Sequence, residues 1–168
     1  VLDPGTYFVF VDGYNSDVGS FRMSTTIADV PSLAEDCQKA RPILQKTTGS
    51  LSNAYDHAHG SCDQGKGPDM IHRLDVPQRA RVRVLLHSDD FAPIVHLRRT
   101  CTDDRSEVGC TDAGLRVEDA AFVGTLDPGA YYVFADSGDK AARGQYTIDA
   151  ELTTEQGAGV RGDSCGDA

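Results

Sequence analysis

The chain has 168 residues, 39% of them hydrophobic and 7% aromatic, with no Trp, which leaves room for one ordinary domain with a real but not large core. Its net charge of −10 argues against nucleic acid as a partner, because phosphate binding needs clustered Lys and Arg. No apolar run approaches the ~20 residues that cross a bilayer, so no membrane span is expected.

Taken in chain order, the first 30 residues read as two strands. Tyr7, Val9 and Val11 fall on one face and Phe8 and Phe10 on the other, and Phe21 opens the second strand. Two strands cannot bury both faces of such a pair, so these assembly strands need a partner sheet, reached by strand addition. No signal peptide opens the chain. Val1 runs straight into the strand pattern, which reads as a start inside a longer protein. A short helix is expected over residues 33–40, with Ser32 at its N-cap. Short strands follow near 42–46 and 49–54. Longer ones, marked by period-two alternation and β-branched or aromatic enrichment, fall near 70–76, 80–87, 93–100, 118–125, 130–136 and 145–153. Turn chemistry separates them, as at Asp127-Pro128-Gly129. The pattern predicts an all-β protein: a jelly-roll-like antiparallel β-sandwich with an extra N-terminal two-strand segment.

An internal repeat sets the organisation. Residues 2–12, LDPGTYFVFVD, match residues 126–136, LDPGAYYVFAD, at an offset of 124. Gly19-Ser20-Phe21 then answers Gly144-Gln145-Tyr146 at an offset of 125. Residues 34–40 match residues 162–168 at an offset of 128, which aligns Cys37 with Cys165. The expected domains are therefore 1–30, the last two strands of a preceding repeat; 33–155, a complete repeat; and 156–168, a linker and the start of a following one.

Cys37, Cys62, Cys101 and Cys110 form no CxxC pair, so they read as disulfide partners in an oxidising compartment rather than zinc ligands. Cys101 and Cys110 flank the polar segment TDDRSEVG, read as a loop between strands. The expected pairing is Cys101–Cys110, stabilising by roughly 2–3 kcal/mol, which leaves Cys37 for Cys62. Cys165 would pair outside the chain.

The run from Gly67-Pro68-Asp69-Met70 through Arg81-Val82-Arg83-Val84, Ser88-Asp89-Asp90-Phe91, Cys101 and Cys110 to Leu126-Asp127-Pro128-Gly129-Ala130-Tyr131-Tyr132-Val133 resembles the bacterial pre-peptidase C-terminal domain. More closely it resembles the cysteine-containing version that recurs in large secreted proteins. The resemblance covers about residues 33–153, and residues 1–30 match that family's last two strands. It implies a jelly-roll-like sandwich of eight or nine strands, not itself an enzyme, located outside the cell or on a bacterial surface. His72 and His96 depart from the family pattern, which has aromatic or aliphatic residues there.

His57 and His59, with Asp56 and Asp63, offer metal-ligand chemistry but lie in a loop-like segment. His72, His87 and His96 read as half-exposed sheet residues. Asp12 and Asp17, six residues apart inclusive, are the best calcium candidates, since Ca²⁺ takes six to eight oxygens, several from one flexible loop. No other cofactor is expected. No G-x-S-x-G elbow or H-E-x-x-H helix is present, so no catalytic residue is assigned. Arg161-Gly162-Asp163 spells an adhesion tripeptide that chance accounts for. The sequence therefore predicts a non-catalytic extracellular structural or adhesive repeat whose partners are neighbouring repeats or identical subunits joined by strand addition. The alternative is a substrate- or glycan-binding accessory module of a secreted hydrolase.

Overall fold

The structure, a computed structural model, describes residues 2, 5–63, 65, 67–114 and 119–154. Cys165, the Arg161-Gly162-Asp163 triplet and the expected repeat start at 156–168 lie outside the described residues. The chain divides into two units, Val1–Pro31 and Ser32–Ala168.

The second unit is the β-sandwich. In chain order it comprises α1 (Leu33–Gln38), β1 (Arg41–Pro42), β2 (Lys46–Ser50), β3 (Met70–Val76), β4 (Ala80–His87), β5 (Pro93–Arg98), β6 (Glu107–Asp112), β7 (Ala120–Leu126), β8 (Gly129–Ser137) and β9 (Gln145–Thr154). One sheet has the order β1-β3-β8-β5-β6 and the other β2-β9-β4-β7. All pairings are antiparallel except the short β1–β3 contact, which is parallel.

Period-two alternation builds the core. β4 alternates buried and open residues along its length, so Val82, Val84 and Leu86 point inward, where they join Phe122, Tyr146, Ile148 and Ala150 of the same sheet. Leu74, Val76, Val95, Leu97, Tyr131 and Val133 face them from the other sheet. Burying such a side chain is worth about 1.5–3 kcal/mol. The Asp127-Pro128-Gly129 turn carries the chain from β7 in one sheet to β8 in the other: Gly129 takes φ 149°, a conformation a Cβ disfavours, and the Tyr131 hydroxyl donates to Asp127 O at 3.0 Å.

The helix forms where expected. The Ser32 Oγ accepts from Glu35 N, and the Glu35 carboxylate accepts from Ser32 N at 2.7 Å, a complete capping box.

β6 falls partly in the segment read as a loop. Its residues, EVGCTD, show no clean alternation, and all but the last are half-buried, so nothing local marks a strand. It is made by its ladder with β5, which also carries a register shift at Leu97/Arg98.

The two strands expected over residues 1–30 are not formed within this chain. Among the described residues of the first unit none lies in a strand or bridge; the only regular element is a 3-10 turn at Tyr14–Ser16. Tyr7, Phe8, Val9, Phe10, Val11 and Phe21 are all exposed, Phe10 to 89%. Strand identity requires ladder partners, and an isolated pair does not supply enough of them.

Candidate functional site

The outer face of the five-stranded sheet should be open to water in a simple sandwich. Here it is covered. Residues 57–63 run across it, and α1 packs beside them, with Leu33, Cys37 and Ala40 against a second small core of Ala58, Ile71, Cys101 and Phe134. Both sides of β5 are therefore buried. Gly60 shows how closely the covering segment approaches: a Cβ there would stand 2.5 Å from Cys110 Sγ and 2.9 Å from His96 Cβ.

Two disulfides staple this cover, and their pairing corrects the expected one. Cys37 bonds Cys101 and Cys62 bonds Cys110, with Cα–Cα distances of 5.9 and 5.6 Å. The reason lies in the β5–β6 register. Cys110 sits opposite His96, five residues before Cys101, and strand rise puts such positions roughly 16 Å apart. A disulfide needs Cα atoms within about 7 Å. Each cysteine instead meets one from the covering layer.

Beneath the cover lies a stripe of buried polar side chains: Asp69, His96, Arg98 and Asp136. Alternate residues of β5 and β8 point outward, which puts His96 beside Phe134. Their rings stack at 4.3 Å, and the Arg98 guanidinium lies 4.8 Å from the Phe134 ring centre. Arg98 donates to His59 O at 2.9 Å and Cys101 O at 3.3 Å. Asp69 accepts from His57 N and Ala58 N at 2.7 and 3.0 Å. These bonds tie the cover to the sheet.

Asp136 is the most perturbed acid. One carboxyl oxygen accepts from Ser137 N at 2.6 Å; the other lies 3.9 Å from His96 Nε2 with no hydrogen-bond partner of standard geometry. Burial first, then Asp69 and Asp63, raise its pKa to about 9. Asp63 is itself buried and pairs with the exposed His59 at 3.2 Å. Burial also raises Asp69 to about 6 and lowers His96 to about 3. The imidazole is neutral at pH 7.

His72 faces the opposite way, into the sandwich core. Its Nε2 meets the Tyr146 hydroxyl at 2.7 Å, and burial lowers its pKa to about 4. His72 and His96 are thus fully buried, not half-exposed as alternation alone implied. His96 is buried by the cover and His72 lies on an inward position. His87 is open and bonds Asp119 at 2.6 Å. His57 pairs with Asp36 at 3.1 Å. Among the described residues no three His, Cys, Asp or Glu side chains converge as metal ligands. Asp12 uses one oxygen on Gly13 N at 2.9 Å, and the structure brings neither Asp12 nor Asp17 to a ligand cluster.

A cleft of about 650 Å³ opens at one end of the sandwich, lined by Asp63, Asp90, Phe91, Ile94, Asp112, Asp139 and Arg143 among others. Asp90, Asp112 and Asp139 each give one oxygen to a backbone N–H. The sequence marks Asp90 and Asp139 as turn residues but cannot show that they meet Asp63 and Asp112 at one cleft.

The fold and its cover define a disulfide-stapled β-sandwich module. Among solved structures it is similar to the pre-peptidase C-terminal domain of a collagenase from Bacillus anthracis, at 14% identity over 74% of this chain and 100% of that one, with a TM-score of 0.50. That likeness shows the fold and agrees with the resemblance read from the sequence. Weaker likenesses are to a β-1,3-glucan-binding CBM6 from Bacillus halodurans (13% identity, 68% of this chain and 99% of that one, TM-score 0.39) and to CsCBM6-3 from Clostridium stercorarium in complex with cellobiose (10%, 68% and 97%, TM-score 0.37). No family model and no curated protein matches the chain.

Proposed function

We propose that the chain is a non-catalytic structural or adhesive module of an extracellular bacterial protein built from tandem β-sandwiches. Residues 32–154 are one whole sandwich, and residues 2–31 are the closing strands of another. The observation that carries this reading is the duplication: LDPGTYFVFVD repeats LDPGAYYVFAD at β8 in a segment whose described residues form no strand. Two disulfides suit an oxidising compartment, and the buried acids and imidazoles hold a covering segment in place, a structural task. Antibodies against the sandwich test the reading on the source organism. The expected antigen is outside the cell and much larger than 18 kDa under denaturing conditions. A cytoplasmic 18 kDa product would end it.

The acidic cleft supports a second reading, an accessory module that holds a substrate. Titration with cellobiose and with a soluble β-1,3-glucan, read by chemical-shift changes at Asp90, Asp112 and Asp139, tests it. No shift at saturating sugar removes those ligands.

A further inference from the structure

We infer that residues 2–31 complete their partner sandwich from the inside, placing one strand in the interior of each sheet, rather than extending any sheet at an edge. This rests on the tandem reading and adds where the strands go.

Residues 2–13 align with residues 126–137 without a gap and share eight of twelve residues. In the sandwich, β8 is hydrogen-bonded on both sides, to β3 and to β5. The second half of the segment aligns with β9, which is likewise flanked on both sides, by β2 and β4, in the other sheet. The two matched strands are thus central, and they belong to different sheets. A pair that copies them is not a hairpin and cannot dock as one.

The side-chain pattern agrees. Tyr7, Val9 and Val11 take the places of Tyr131, Val133 and Ala135 on the inward face. Phe8, Phe10 and Asp12 take those of Tyr132, Phe134 and Asp136 on the covered face. A strand apolar on both faces belongs in the interior of a covered sheet. Natural edge strands are blunted by charge, and residues 5–11 carry none. Phe8 and Phe10 are 81% and 89% exposed, so in an edge addition their face would still need a cover of the kind that the segment around Ala58 lays over Phe134. The partner is therefore the remainder of a repeat of this kind in the same polypeptide, with both central positions open. A second copy of this chain, whose sandwich is already closed, offers no seat.

Stopping the chain after Thr125 provides the test. It removes β8 and β9 but keeps their copies, so residues 1–125 hold a full strand set in permuted order. Residues 1–125 are expected to unfold cooperatively with Cys37–Cys101 and Cys62–Cys110 formed, as a monomer or a swapped oligomer. Residues 32–125 are expected to have no cooperative transition. As a second variant, Ala130→Thr/Tyr132→Phe/Ala135→Val/Ser137→Gly in the full chain gives β8 the sequence of residues 2–13 and should keep the fold. Failure of both variants overturns the inference. So does concentration-dependent self-association of the full chain that Phe10→Asp abolishes, because only edges are free on a complete copy. These results do not depend on the size or location of the native product, so the tandem reading can fail separately.

Discussion

Residues 2–13 and 126–137 are nearly the same peptide with opposite fates. Phe134 is fully buried between His96 and Arg98, and Phe10 is 89% exposed. Tyr131 holds its turn through Asp127 O, and the described residues of the matching segment at the N-terminus form no strand. The comparison shows that a strong β pattern is a capacity and not a structure. The ladder partners and the cover convert it, and both come from distant parts of the chain.

Five experiments test this contrast. Reducing both disulfides has the largest effect, since they close sequence separations of 64 and 48 residues. Chain entropy gives about 4 kcal/mol for each bond alone. Denaturant unfolding with and without reductant should show that loss in the sandwich, with no change in protease cleavage of residues 2–31. Next, Phe134→Ala should cost about 3–5 kcal/mol, the usual range for a buried Phe. Phe10→Ala should cost under about 0.5 kcal/mol, as an exposed site does. Equal effects would mean that the two copies are not in different environments.

Third, pH dependence reads the buried acid. The folded-state pKa of Asp136, about 9 against 3.8, means that its contribution is full below the unfolded value and is lost as pH rises through about 9. His72 and His96 are shifted down, so they cost stability only as pH falls below 6.5. Between pH 6.5 and 9 the sandwich should therefore lose about 2–3 kcal/mol, a single-proton slope. Asp136→Asn should flatten that slope. Fourth, Tyr146→Phe leaves His72 without its hydroxyl partner and should cost about 1–2 kcal/mol. Phe21 stands at the matching position of the N-terminal copy, so the host of that copy is expected to lack a histidine at the place of His72. Comparing Tyr146→Phe with the His72→Phe/Tyr146→Phe double variant would show recovery. Fifth and smallest, Ser32→Ala should cost about 1 kcal/mol through the capping box, seen as a small drop in Tm.

Much of the sandwich was legible locally. β3 and β4 match their expected spans because alternation is strict there, and β8 is marked by aromatics after an Asp-Pro-Gly turn. Ser32, read as an N-cap, announced α1. β6 was not legible, because EVGCTD has neither alternation nor β-branched density and is a strand only by its register with β5. The buried polar stripe escaped for the same reason. Nothing near His96 or Asp136 in sequence says that residues 57–63 will lie across them.

By itself the amino-acid sequence determined the class of fold, the repeat that relates residues 2–31 to β8 and β9, and which four cysteines bond. Those depend on side-chain periodicity, turn chemistry and self-similarity, all of which are local or one-dimensional. Tertiary structure alone decided which cysteine meets which, that the outer face of one sheet is roofed, and that two histidines and three aspartates are taken out of water. Each of these depends on which distant segments come within a few ångströms, and only the register of strands across the sheets sets that distance.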